Sequence, residues 1–180
     1  MPFVETFISN IINGNYINPY EYYYVNNLVP SFPYPPLMLL IESIGGLGVH
    51  ILSFAPLFLK NIIFKLPNLF FDFMGMYYLM KLYPHRRKYV GILYFASPII
   101  LYSTYMHGQL DIIPTALLIS AIFYLVQKGH SNDKLFVILL GAALLTKFHI
   151  VAVLPIIFIY IYKKDGFKKA YKLCREYHLF

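Results

Sequence analysis

Leu66–Leu82, Val90–Met106 and Ile112–Gln127 are apolar runs of 16 or 17 residues, and the basic side chains fall in clumps between and after them. Runs of this length lie at the short end of the roughly 17–25 residues that cross a bilayer as a helix. Lys and Arg are absent from the first 59 positions. Twelve of the 15 then occupy three clusters: Lys81, Arg86, Arg87 and Lys88; Lys128 and Lys134; and Lys163, Lys164, Lys168, Lys169, Lys172 and Arg175. Apolar runs alternating with basic loops are the pattern of a multi-pass membrane protein whose basic loops face the cytoplasm. Composition agrees, with 59% hydrophobic and 13% charged residues, against about a quarter charged in soluble chains. The expected fold class is all-α, a polytopic membrane helix bundle.

The net charge of +7 raises the question of nucleic acid. A nucleic-acid footprint is a basic stripe on a polar face, and no such face exists here, so no nucleic-acid partner is expected. Eighteen Tyr and no Trp leave any interfacial aromatic belt to tyrosine, as with Tyr22, Tyr23, Tyr24, Tyr77, Tyr78, Tyr160 and Tyr162 near the ends of apolar runs. The one cysteine, Cys174, cannot form an internal disulfide. The first 35 residues have neither a basic start nor a continuous apolar core, so no cleavable signal peptide is expected.

Placing Tyr83–Lys88 and Lys128–Lys134 in the cytoplasm puts His107–Asp111 on the opposite side. Residues 1–35, with Asn13-Gly14, Asn18-Pro19 and Pro33-Tyr34-Pro35-Pro36, read as a non-cytoplasmic loop segment. Residues 36–163 form the transmembrane module, with helices about 66–82, 90–106, 112–127, 135–147 and 148–162, and 164–180 is a basic cytoplasmic tail. Residues 37–59 are long enough to span, but Glu42, Gly45-Gly46-Leu47-Gly48 and His50 interrupt them. A span there would also invert every later assignment, so 37–59 reads as interfacial or re-entrant. Leu135–Tyr162 has two readings. A hairpin turning near Lys147 returns the tail to the cytoplasm, as the charge rule favours; one long tilted helix buries Lys147 in a bundle interior.

Ionisable groups at membrane depth cost a few kcal/mol on insertion scales (~3 kcal/mol), so Asp72 needs a partner or an aqueous cavity. His107-Gly108-Gln109-Leu110-Asp111 joins two apolar runs with an imidazole, an amide and a carboxylate. These groups can hydrogen-bond a sugar, orient a base or hold a divalent ion. The alternative is a polar loop with Asp111 as a helix N-cap and Pro114 in the first turn. Lys147 suits the phosphate of a lipid-linked substrate as a point charge, or snorkels to an interface. His50, His85, His130, His149 and His178 show no metal-ligand spacing; no cofactor is expected, and a divalent metal is left open by the residues but not indicated by them.

Four stretches, in order, resemble the polyprenyl-phosphate-sugar-dependent glycosyltransferases of the GT-C fold, in their mannosyltransferase-like branch. They are Gly14…Asn18-Pro19-Tyr20 with Tyr34-Pro35-Pro36-Leu37, Lys65-Leu66-Pro67…Asp72, His107-Gly108-Gln109-Leu110-Asp111…Pro114, and Gly141…Leu145-Thr146-Lys147…Leu154-Pro155. The resemblance implies hexosyl transfer from a polyprenyl or dolichyl phosphate to an acceptor at the non-cytoplasmic face of the plasma membrane or endoplasmic reticulum. His107, Gln109, Asp111 and Lys147 are then the substrate-binding residues. An acidic base is the family's usual catalyst. The family's first helix and its acidic motif have no counterpart before Gly14, where Glu5 is the one carboxylate. The catalytic base is therefore unassigned, with Glu5 as a weak candidate, and this chain by itself is expected to transfer little sugar. A second membrane chain would complete such a fold. A non-catalytic subunit that binds lipid-linked sugar is the runner-up, and a small transporter using Asp72 and Lys147 is the third reading.

Overall fold

The computed structural model describes residues 2–26, 34–106, 109–127, 130–167 and 171. Their regular structure is helical, with no strand among the described residues. Two compact units divide the chain, Met1–Phe70 and Phe71–Phe180.

The first unit contains α1 (Pro2–Ile12), α2 (Pro19–Val25), α3 (Pro36–Ile51), α4 (Leu57–Phe64) and the first residues of α5 (Leu66–Leu82). The expected loop over 1–35 is thus helical in two places. Asn18 caps α2 through its side chain, accepting from the Tyr20 N–H at 3.1 Å, and Pro19 supplies the pre-set φ of a first helical residue. The turn signal at Asn18-Pro19 is the start of a helix. Phe3 on α1 packs on Tyr20 and Tyr23 of α2 with ring centroids 5.3 and 4.5 Å apart, and the Thr6 and Tyr23 hydroxyls meet at 3.1 Å. The Tyr20 hydroxyl donates to the Tyr34 carbonyl at 2.8 Å, and burial pushes its phenol up from the usual range.

Residues 37–59 are two helices, α3 and α4, joined through Ala55 and Pro56. The glycines expected to interrupt the segment lie inside α3 and serve packing. A Cβ at Gly45 would run into the backbone carbonyl of Phe64 on α4, one at Gly48 would meet the Ile63 side chain at 2.6 Å, and one at Gly46 would meet Ile8 and Val4 of α1 at 2.5 and 2.8 Å. Lacking side chains at these points, α3 comes close to α4 and α1 at once. The helical cost of each glycine, about 1 kcal/mol, is offset by contacts that no larger residue permits.

The second unit holds the rest of α5, α6 (Arg87–Phe95), the single turn α7 (Pro98–Ile100), α8 (Ile112–Val126), α9 (His130–Thr146) and α10 (Leu154–Asp165). A 3-10 turn at Pro84–Arg86 leads into α6, a π-helical stretch, Leu101–Met106, follows α7, and a 3-10 stretch, Phe148–Val153, precedes α10. The helix expected over 90–106 is broken. Pro98 has no N–H to continue the ladder of α6, and the Ser97 hydroxyl instead accepts from the Ile100 N–H at 3.5 Å to start the next turn. The two arms, Pro84–Phe95 and Pro98–Met106, meet at 45°.

α8 packs most extensively in this unit, with one broad face buried, including Ile113, Ala116, Leu117, Ser120 and Phe123, while Thr115 and Val126 on the other face are exposed. Gly75 of α5 lies against Ala116, where an added Cβ would come within 3.2 Å. The Tyr78 and Tyr124 hydroxyls meet at 3.1 Å one to two turns further along. The chain reverses at Lys147, whose φ of −159° and ψ of 125° are extended. Lys147 joins Asp111 at the start of α8, whereas the Lys164 ammonium donates to the Leu125 and Val126 carbonyls at its other end. α10 therefore runs back along α8, antiparallel to α9.

Among the described residues, no single helix is long and apolar enough to cross a membrane. The bent pair of arms at Ser97 is long and apolar enough when taken together.

Candidate functional site

Asp111 stands at the N-terminus of α8 and Lys147 just after the C-terminus of α9. Antiparallel packing of these two helices brings the ends together, and the Lys147 ammonium donates to Asp111 Oδ1 in a close ion pair across 36 positions of sequence. The Asp111 side chain is 43% exposed and that of Lys147 29% exposed, so the pair sits at a boundary rather than in a core. The helix-cap alternative holds in position, with Pro114 in the first turn, but not in its hydrogen bond. Asp111 occupies the N-cap position, but its side chain makes no cap hydrogen bond. Its backbone carbonyl takes the local role, accepting from Thr115 N–H at 3.2 Å and the Thr115 hydroxyl at 2.7 Å.

The backbone around the pair is tightly held. Thr146 is fully buried, with its hydroxyl donating to the Ala143 carbonyl at 2.7 Å. The Lys147 N–H closes the last turn of α9 on Ala143 at 3.2 Å, and the Lys147 carbonyl accepts from Ile150 N–H at 3.3 Å. Pro114 and Leu110 are buried, which fixes the first turn of α8. Gln109 is exposed two residues before Asp111, with its N–H bonded to the Ser103 carbonyl at 2.8 Å. His107 and Gly108 lie outside the described residues. Glu5 lies on the exposed side of α1, in the first unit.

Asp72 has the partners that its burial demands. It is 5% exposed, and Tyr94 donates to Oδ1 at 2.5 Å while Tyr105 donates to Oδ2 in a short hydrogen bond. Two phenols thus satisfy the two carboxylate oxygens, tying α5 to α6 and to the π-helical stretch that leads to His107–Asp111. The sequence flagged Asp72 but carried no signal for these tyrosines, two among eighteen.

Glu42 was legible as an interruption and nothing more. It is fully buried on α3, and neither carboxylate oxygen has a hydrogen-bond partner among the described residues; the buried Asn68 side-chain oxygen shares this condition. Among the described residues, no group of three or more His, Cys, Asp or Glu is placed to hold a metal ion.

No family model, curated protein or solved structure matches this chain.

Proposed function

We propose that this chain is a membrane-embedded helical module of a GT-C-like glycosyltransferase. In this reading it binds a polyprenyl-phosphate sugar at the non-cytoplasmic face for transfer to an acceptor. The observation that carries the proposal is the Asp111–Lys147 pair. A cation for a phosphate and a carboxylate for sugar hydroxyls share one helix end, half open to solvent, beside Gln109. An ammonium offsets the charge that develops on a departing lipid phosphate, and a carboxylate accepts hydrogen bonds from hydroxyls.

The membrane part of the reading is supported by the surface. Large side chains stand exposed along α4, α6, α7 and α10, among them Phe58, Ile92, Leu93, Ile99, Ile156 and Ile159. Exposed apolar side chains in this number call for lipid or protein to cover them. α8, an apolar helix of 15 residues, rises about 22 Å, short of the ~30 Å hydrocarbon core, a mismatch that local bilayer thinning would meet. Asp72, paired by two phenols, acts here as a tie between elements and not as part of a transport path.

The test is saturable binding of a polyprenyl-phosphate hexose by the full chain in non-ionic detergent, with bare polyprenyl phosphate and free hexose phosphate for comparison. Tighter binding of the sugar-bearing lipid than of either part is the expected result. Equal, unsaturable uptake of all three contradicts the reading. Turnover with an added acceptor separates the transferase from the non-catalytic subunit, which binds the same lipid without turnover.

A further inference from the structure

A second site of different character lies on the second unit, between α5 and α6. Met76 and Met80 on α5 face Gly91, Ile92 and Phe95 on α6 across a groove of about 810 Å3, within the roughly 300–1,000 Å3 of sites that hold small molecules. Its walls are almost wholly apolar, and its polar lining comes at one end, from Arg87 and Lys88. Gly91 sets its depth: a Cβ there would come 3.3 Å from the Met80 sulfur, and any longer side chain would enter the groove.

The cationic end lacks a counter-charge. Arg87 and Lys88 are exposed, and neither side chain makes an ion pair or hydrogen bond with another described residue. Both lie in the first turn of α6, with Arg86 just before it, and that turn contains no acidic residue. A helix N-terminus carries a partial positive charge that favours anions and disfavours cations. Three basic residues at this end therefore raise a positive potential with which no acidic side chain among the described residues pairs. A ligand that fits both features has a phosphate at one end and a long apolar chain at the other. The chain's own C-terminal segment does not qualify, because Lys168, Lys169, Lys172 and Arg175 make it basic.

We propose that this groove binds an anionic phospholipid, with its phosphate on Arg87 and Lys88 and an acyl chain along Met76, Met80 and Phe95 over Gly91. Basic pockets between membrane helices on the cytoplasmic side are suited to anionic head groups. The inference rests on the membrane part of the proposed function and is independent of sugar transfer. Its ligand is a bulk-type lipid at the basic end of the unit, separate from the Asp111–Lys147 pair.

Delipidated full-length chain in an uncharged detergent, titrated with phosphatidylglycerol, phosphatidylcholine or inorganic phosphate and read by native mass spectrometry, tests the site. Phosphatidylglycerol should bind at least tenfold more tightly than phosphatidylcholine. Arg87→Gln with Lys88→Gln should lower that affinity at least tenfold. Gly91→Leu, which fills the groove and keeps every charge, should do the same for the lipid and leave inorganic phosphate binding unchanged. Lys134→Gln with Lys163→Gln removes equal charge elsewhere and should change affinity less than twofold. An equal loss in that control, or unaltered lipid binding in Gly91→Leu, overturns the proposal. A chain stripped from membranes by carbonate contradicts the membrane reading and this site together. A membrane-retained chain without a phosphatidylglycerol preference contradicts this site alone.

Discussion

Lys147→Met lowers affinity for a bare polyprenyl phosphate by more than tenfold, and Asp111→Asn raises it: opposite signs are expected from the two halves of one ion pair. The Lys147 ammonium is engaged by Asp111, so an incoming phosphate must compete with a carboxylate. Removing the ammonium removes the attraction, and tenfold corresponds to about 1.4 kcal/mol. That lower bound sits beneath the 2–5 kcal/mol typical of truncating a desolvated charged partner, as suits a pair that remains partly exposed. Neutralising Asp111 removes one competitor for the Lys147 ammonium. For the sugar-bearing lipid, Asp111→Asn has the reverse effect, because the carboxylate is the proposed acceptor for sugar hydroxyls. Titration of the two lipids against wild type and both variants gives a four-way sign pattern. A purely structural ion pair would change stability in both variants and leave both lipid affinities where they were.

The second large effect concerns packing in the first unit. Gly45→Ala is expected to destabilise it by about 2 kcal/mol, within the range of about 1–3 kcal/mol for overpacking. The added Cβ meets the Phe64 backbone carbonyl, which cannot swing away as a side-chain tip does. Gly46→Ala should cost less, because its obstacles are the ends of Ile8 and Val4. Gly141→Ala in α9 has nothing within 4 Å and should be stabilising by up to about 1 kcal/mol from helix propensity. Chemical denaturation of the three variants in one detergent checks the order. Equal losses at Gly45 and Gly141 would show that the close approach of α3 and α4 contributes nothing.

Helix was legible wherever an apolar run was long and its Pro fell in the first turn, as with Pro67 and Pro114. The bounds read for Leu66–Leu82 coincide with α5. Legibility failed where helices were short. α1 and α2 have 11 and 7 residues, too few turns for periodicity to stand out against the neighbouring Asn, Gly and Pro, although Asn18-Pro19 is a recognisable cap signal. The break at Ser97-Pro98 was hidden for the opposite reason. Proline is tolerated in membrane helices, so hydropathy alone gave a continuous run where the backbone bends. Of the candidate site, Asp111 and Lys147 stood out as polar groups at the ends or in the middle of apolar runs. Their direct pairing depends on the α8–α9 register and on the reversal at Lys147, neither of which a local pattern specifies. Glu42 and the phenol partners of Asp72 are consequences of packing between elements, and no spacing rule points to them.

The central claim is that the chain sits in a bilayer with its basic loops on one side and the Asp111–Lys147 pair on the other. Single cysteines placed at Arg87 and Gln109 in a Cys174→Ser background, labelled with a membrane-impermeant thiol reagent in sealed vesicles of known orientation, test it most directly. Position 109 should label from the non-cytoplasmic side only and position 87 from the cytoplasmic side only. Labelling of both positions from the same side would contradict it.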